Sequence, residues 1–251
     1  MHIINPYRYA SGGFAPTDIS GCVLWMDGSD LTTMYQDIAK TSQTTAGGNS
    51  VRVWIDKSAS AHEFTEATTF PVYADNIKNS LGAVSFTAAS TDFLSKATPG
   101  IFTGSTTMFA VWNEINNDQV GTVITSDGLV STRQAIFADT RTSPRRCIAY
   151  PYTSLSHIDN TNDLAANLWH YTSAVISANT SAQAWLDGTS QGSTANVTAP
   201  TEGTVSIGRQ NYPSGQSYMN GYIAEIIMYN SALSTANREA VESYLASKWA
   251  I

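Results

Sequence analysis

Charged side chains are scarce in this 251-residue chain: Lys, Arg, Asp and Glu make up 13% of it, and the acids leave a net charge of −7. Ser, Thr, Asn and Gln must then supply most of the polar surface. A phosphate-binding face needs clustered Lys and Arg, so the charge balance excludes a nucleic-acid partner. The one basic cluster, Arg141 to Arg146, surrounds Pro144 and reads as a solvated turn. Two cysteines, Cys22 and Cys147, are too few for a disulfide scaffold; one bridge or two buried thiols both fit. No apolar run approaches the roughly 20 residues of a membrane span, so no membrane partner is expected. The opening MHIINPYRYASGG has neither the basic start nor the apolar stretch of a secretory signal. Such a product is made and kept in a cytoplasm unless something carries it out.

What is present is strand signal. TMFAVWNE, GTVITS, RQAIFAD and RCIAYPY are short Val-, Ile-, Phe- and Tyr-rich runs between polar turns. LWHYTSAVIS (168–177) is another, and SAQAWLDGTSQG places Asp187-Gly188 where a type I′ hairpin turn needs two residues of positive φ. Thr204 to Gln210 predicts one further strand. From Gly221 the closing stretch begins as a strand with Tyr222, Ala224, Ile226 and Met228 on one face. The period then changes: Ser234 is a good N-cap, and Val241, Tyr244, Leu245 and Trp249 recur at helical spacing. Turns at 8–12-residue intervals predict ten or eleven strands and one terminal helix, an all-β sandwich in a single domain, 20–251. Residues 1–19, with Pro6, Pro16 and Ser11-Gly12-Gly13, predict an extended N-terminal arm. Its residues Ile4, Asn5, Pro6, Tyr7, Arg8 and Tyr9 are candidates for docking on a neighbouring subunit, and a disordered leader is the alternative.

Several motifs resemble the laminin-G-like, concanavalin A-type jelly rolls found in bacterial and tailed-phage proteins. Gly221, Ile223, Glu225 and Tyr229 match a G-x-I-x-E-x-x-x-Y strand, Leu233-Ser234 a helix start, and Tyr244, Leu245, Lys248 and Trp249 a Y-L-x-x-K-W close. Leu24, Trp25, Asp27, Ser29 and Asp30 match the opening L-W-x-D-A-S-D, and Trp54, Asp56, Lys57 and Ser58 a W-x-D-K-S. The resemblance runs from about Ser20 to Ile251. It implies a concanavalin A-like two-sheet jelly roll in which the two Trp-x-Asp pairs pack the sandwich edge and the aspartates fix turns. Ser58 to His62 and Phe86 to Leu94 depart from the family's S-G-x-G-H and F-D-G-x-D-D-x-L, losing a glycine and several acids. INPYRYAS resembles the leader of tailed-phage structural proteins.

Catalytic motifs are missing. There is no G-x-S-x-G elbow, no H-x-x-x-H pair among His2, His62, His157 and His170, and no E-x-D-x-x-E strand of the glucanase type. Glu114 and Asp118 flank a loop-like Ile115-Asn116-Asn117. His170, in a strand after Trp169, reads as a structural hydrogen-bonding residue, and Glu225, alone in an apolar strand, as a structural acid with a buried partner. No catalytic residue is therefore expected. Asp159 and Asp163, in the loop Asp159 to Asp163, are calcium candidates, although the loop lacks an EF-hand's glycine and distal glutamate; otherwise no cofactor is expected. Sugar binding needs exposed rings and side-chain amides. The candidates are Tyr150, Tyr152, Trp185, Arg209, Tyr212 and Tyr218, with Gln210 and Asn211 adjacent in sequence.

The combined expectation is a non-catalytic phage virion protein, a capsid decoration or tail component. It would dock on other virion proteins through its arm, present a lectin-like sandwich to host glycans and assemble as a homo-oligomer, with a trimer fitting a symmetry axis. The alternatives are a bacterial carbohydrate-binding or adhesion module and a glycoside hydrolase with carboxylates from separate strands.

Overall fold

The computed structural model describes residues 13–115, 120–126, 134–139, 146–150, 158–159, 164, 167–195, 197, 202–212 and 215–251. The docking candidates Ile4 to Tyr9 lie outside them. In chain order the first strands are β1 (Cys22–Asp27), β2 (Met34–Tyr35), β3 (Val53–Ile55), β4 (Glu63–Thr65), β5 (Val72–Lys78), β6 (Leu81–Phe86) and β7 (Leu94–Ala97). The middle of the chain forms β8 (Thr106–Glu114), β9 (Val120–Ser126), β10 (Ala135–Asp139), β11 (Arg146–Tyr150), β12 (Ile158–Asp159) and β13 (Trp169–Ser177). Then come β14 (Ser181–Leu186), β15 (Thr189–Ala195), β16 (Thr204–Ile207), β17 (Arg209–Tyr212), β18 (Gly215–Tyr218), β19 (Gly221–Tyr229) and the helix α1 (Thr235–Trp249).

Two antiparallel sheets form a sandwich, as the strand pattern predicts. One runs β15-β14-β13-β8-β19-β6-β5, with β1 also on β19; the other runs β12-β11-β10-β9-β16-β7-β4-β3-β2. A separate two-stranded ribbon pairs β17 with β18. VRVWIDKS predicts β3, and the sequence predicts fewer strands because β2, β4, β7 and β12 span two to four residues each, too short for period-two alternation to register. The single strand expected from Thr204 to Gln210 is broken at Gly208, whose φ is +81°. A side chain there would collide with the Phe86 ring, so the chain turns out of the sheet and into the ribbon. Asp187 and Gly188 both have positive φ, 49° and 75°, as the predicted hairpin requires.

β8 and β19 lie side by side in the middle of the first sheet and are apolar on both faces. On β8, Met108, Ala110 and Trp112 belong to the core between the sheets, while Phe109 and Val111 lie on the other side, in a second cluster with Val241, Leu245 and Trp249 of α1. The helix thus covers the outer face of this sheet. Ser234 caps it, its hydroxyl accepting from the Asn237 amide at 3.3 Å. Arg238 and Glu242 are also buried on the helix; Glu242 bonds Arg238 and the Ser173 hydroxyl of β13. Residues 14–19 lie against the domain: Phe14 and Ile19 join the helix-side cluster, and the Tyr229 hydroxyl donates to the Pro16 carbonyl at 2.8 Å.

A buried polar knot explains the family-like motifs. Glu225, wholly buried, accepts from the indoles of Trp25 and Trp249 at 2.7 Å each and from the Tyr244 hydroxyl at 2.8 Å. Lys248 bridges Glu225 at 2.9 Å and Asp27 at 2.8 Å, and Lys57 reaches Asp27 at 3.0 Å and Asp30 at 2.8 Å. Burial pushes the Glu225 carboxyl up, against the pull of Lys248. At Asp27 burial opposes ionisation too, but the two lysines and Ser29 outweigh it and hold the carboxyl below its usual range. Asp56 accepts from the backbone N–H of Trp25 and from Ser58, so the two Trp-x-Asp motifs fasten to each other. Cys22 is a free thiol, pushed up to about 12 by burial, with nearby Asp56 adding to the effect.

Candidate functional site

The outer face of the second sheet carries a row of hydroxyl residues, of which Thr125 and Ser206 are fully buried. Antiparallel pairing aligns Thr65 with Ser95, Ser95 with Ser206, and Ser206 with Thr125. Directly paired residues point to the same face, so a row of four hydroxyl side chains crosses β4, β7, β16 and β9. Thr125 pairs in turn with Ala135, and Ala135 with Tyr150 on β11.

The β17–β18 ribbon packs on this face. Gly208 directs it there, and the Ser217 hydroxyl anchors it, 3.2 Å from the Thr122 hydroxyl of β9 and 3.3 Å from the Gln210 amide oxygen. Arg209 lies with its guanidinium 3.6 Å over the Phe93 ring and donates to the Ser206 hydroxyl at 3.3 Å. Across the ribbon Arg209 pairs with Tyr218, whose hydroxyl bonds Gln216. Gln216 is exposed, and Phe93, Arg209, Gln210, Ser217 and Tyr218 are half-buried. The Phe93 and Tyr218 rings, the Arg209 guanidinium and the Gln216 amide therefore line one accessible rim, while Gln210 shares the sheet-facing side of the ribbon with Ser217.

The predicted glycan-binding residues divide accordingly. Arg209 and Tyr218 are brought together, and Tyr212 closes β17 opposite Gly215. Tyr150 takes the register position at the far end of the hydroxyl row; its side chain and that of Tyr212 lie outside the described residues, as does Tyr152 altogether. Trp185 is elsewhere, on the outer face of the first sheet, where the Arg238 guanidinium of α1 lies 4.0 Å over its ring. That contact occupies one face of the ring, as Arg209 does at Phe93, but it lies on the other sheet, apart from the ribbon. Phe93 was not foreseen; alternation along β7 places it on the face of Ser95, a signal the sequence carries but does not rank. The side chain of Asp159 and all of Asp163 lie outside the described residues, among which no group of three metal-ligating side chains occurs.

Glu114 and Asp92 near this end of the sandwich are closed in, whereas Asp187 is exposed. Glu114, at the end of β8, is 5% exposed and neither carboxylate oxygen has a hydrogen-bond partner. Burial pushes its carboxyl up to about 9, opposed only weakly by the Asn220 backbone. Asp92, pushed up by burial, accepts from the Thr87 N–H at 2.9 Å. His170 holds Asp187 at 2.7 Å through Nδ1, and the second oxygen of Asp187 accepts from the Tyr171 N–H. The His170 ring also lies against Trp112. Asp118, weighed with Glu114 as a hydrolytic pair, lies outside the described residues.

Residues 89–237 match the family model of the concanavalin A-like lectin/glucanases superfamily, Laminin G type, and the chain belongs to that family. No curated protein matches the chain. Among solved structures, the receptor-binding domain of botulinum neurotoxin mosaic serotype C/D superposes with a TM-score of 0.58 at 11% identity, over 89% of this chain and 51% of that one. Domain 4 of AbnA, a GH43 extracellular arabinanase from Geobacillus stearothermophilus solved with arabinotriose, gives 0.52 at 14% identity over 86% and 96%. A Trypanosoma rangeli sialidase solved with sialic acid gives 0.56 at 12% identity over 92% and 33%. The chain thus spans half of the neurotoxin domain and a third of the sialidase. At these identities the likeness is one of fold.

Proposed function

We propose that this chain is a non-catalytic glycan-binding sandwich whose ligand rests on the rim of the second sheet, between the β17–β18 ribbon and Phe93. One observation carries the reading: Arg209 stacked on Phe93 and paired with Tyr218, beside the Gln216 amide. Ring faces take the apolar side of a pyranose, and amides and guanidinium take its hydroxyls. Support comes from the fold class and from the arabinanase domain, of nearly the same extent and solved with an arabinose oligomer. The non-catalytic reading is supported by Glu114 and Asp92, which are closed off from any ligand on the rim. A glycan array with the full chain, followed by titration of the best binder against the Arg209→Ala variant, tests it; undiminished binding to the variant defeats the assignment.

The setting we propose is a phage virion, in which the domain decorates a capsid or tail as a homo-oligomer and docks through the arm residues Ile4 to Tyr9, since 14–19 pack on the domain itself. The leader-like INPYRYAS supports this. Co-sedimentation of the full chain, and of one lacking residues 1–16, with particles stripped of it tests the docking; equal binding of both removes the arm from the reading. Calcium enters only through Asp159 and Asp163, and glycan binding that survives EDTA removes it.

A further inference from the structure

The buried knot holds a reactive arrangement that sugar binding does not use. We propose that Lys248 and Asp27 become joined by an amide bond, formed by the folded chain itself with Glu225 as the proton carrier and Lys57 as the oxyanion clamp.

The geometry is that of a nucleophile, an electrophile and an acid–base group already assembled. Lys248 Nζ stands 2.8 Å from Asp27 Oδ1 and 2.9 Å from Glu225 Oε2. Lys57 Nζ is 3.0 Å from the other oxygen, Oδ2, and the Ser29 hydroxyl donates to Oδ1 at 2.6 Å. Asp27 is 4% exposed and Glu225 fully buried, and the indoles of Trp25 and Trp249 and the phenol of Tyr244 enclose them by hydrogen-bonding Glu225.

In water an ammonium and a carboxylate do not condense, because hydration holds both as ions. Asp27 and Glu225 are shielded from that hydration while Lys248 keeps 17% exposure; Asp27 rests as a carboxylate, and the reacting form is the minor one in which a Lys248 proton has passed to it, leaving a neutral amine beside a carboxylic acid. Fixed proximity replaces the encounter of two separate molecules, an advantage that reaches about 10⁵–10⁸ M in effective concentration. The amine nitrogen then attacks Cγ of Asp27, and the electron pair moves to Oδ2, where the Lys57 ammonium stabilises it. Collapse breaks the Cγ–Oδ1 bond. Nζ begins with three protons and keeps one; the other two leave on Oδ1 as water, carried by Glu225, which ends in its starting state. Nothing is oxidised or reduced. Lys248 is the nucleophile rather than Lys57, because Glu225 reaches Lys248 and Lys57 is shared with Asp30 at 2.8 Å.

The mass of the denatured full-length protein tests this directly. It is expected to be one water below the sequence mass, with a branched peptide joining the fragments that contain Asp27 and Lys248 after proteolysis. Lys248→Arg keeps the cation but forms no such amide, and should restore the full mass; Glu225→Gln should slow the loss. A wild-type protein at full sequence mass overturns the proposal, and so does a water deficit carried by an unbranched peptide or persisting in Lys248→Arg. The wild-type mass and peptide map decide even where a variant does not fold.

Discussion

Gly121 of β9 faces Glu114 of β8 across the gap between the sheets, so closely that a methyl group in its place would overlap the carboxylate. The glycine makes room for an acid that has no hydrogen-bond partner, and the two positions are energetically linked. Gly121→Ala should destabilise the domain by about 2 kcal/mol through overpacking, and the same substitution in a Glu114→Ala background by much less. A double-mutant cycle on urea midpoints measures the difference. Equal costs in both backgrounds would refute the steric link.

Glu114 also gives stability a pH dependence of known sign. Burial lifts its folded-state pKa to about 9, above the ordinary 4.5 of a free glutamate. Below pH 4.5 both folded and unfolded chains hold the proton and there is no penalty. Above it the unfolded chain ionises first, so stability falls by up to about 1.4 kcal/mol per pH unit until the folded pKa is reached. Glu114→Met, similar in shape and without the ionisable group, should gain about 3 kcal/mol at pH 7 and show a flatter stability profile from pH 5 to 9. Chemical denaturation across that range checks it; parallel profiles would disprove the shift.

Arg209→Ala and Trp185→Ala should separate binding from folding. The first removes a cation from the proposed rim and should weaken glycan binding about tenfold or more, with a stability cost of about 1 kcal/mol from the lost Phe93 and Ser206 contacts. The second removes the ring beneath Arg238 and should cost about 1–2 kcal/mol of stability, with binding intact. Calorimetric titration beside a melting curve reads both, and a Trp185 variant that loses glycan first would reverse the assignment.

At the helix start, Ser234→Ala should cost about 1 kcal/mol, because the Asn237 amide loses its acceptor. The sequence offers no glutamate at that third position to compensate. Ser234→Asp should retain the cap, and a melting series over the two variants shows whether the side-chain oxygen is what matters.

The sandwich was legible because its long strands carry full signals: β8, β13 and β19 have nine residues each, and the Asp187-Gly188 turn declares itself by residue type. Apart from β3, carried by the VRVWIDKS run, the short strands were not, since two or three residues show no period. Tertiary cover was equally invisible. Nothing local distinguishes Trp185, shielded by a helix about fifty residues further on, from an open ring; nor does local pattern show that Gly208 sends Arg209 over Phe93. Glu225 was readable as a buried, paired acid, but its partners come from both ends of the domain.

The pairing of β1 with β19 also sets a schedule. Trp25 and Glu225 are separated by 200 residues, and the far half of β19, Glu225 to Tyr229, has β1 as its partner. A ribosome adding about 5–20 residues per second therefore exposes β1 for on the order of 10–40 s before its neighbour exists. Over that interval Leu24 and Met26 have no sheet to join. The domain is in this sense post-translational, its first strand waiting for its last, and a nascent chain stalled before residue 221 should be a substrate for chaperones rather than a folding intermediate.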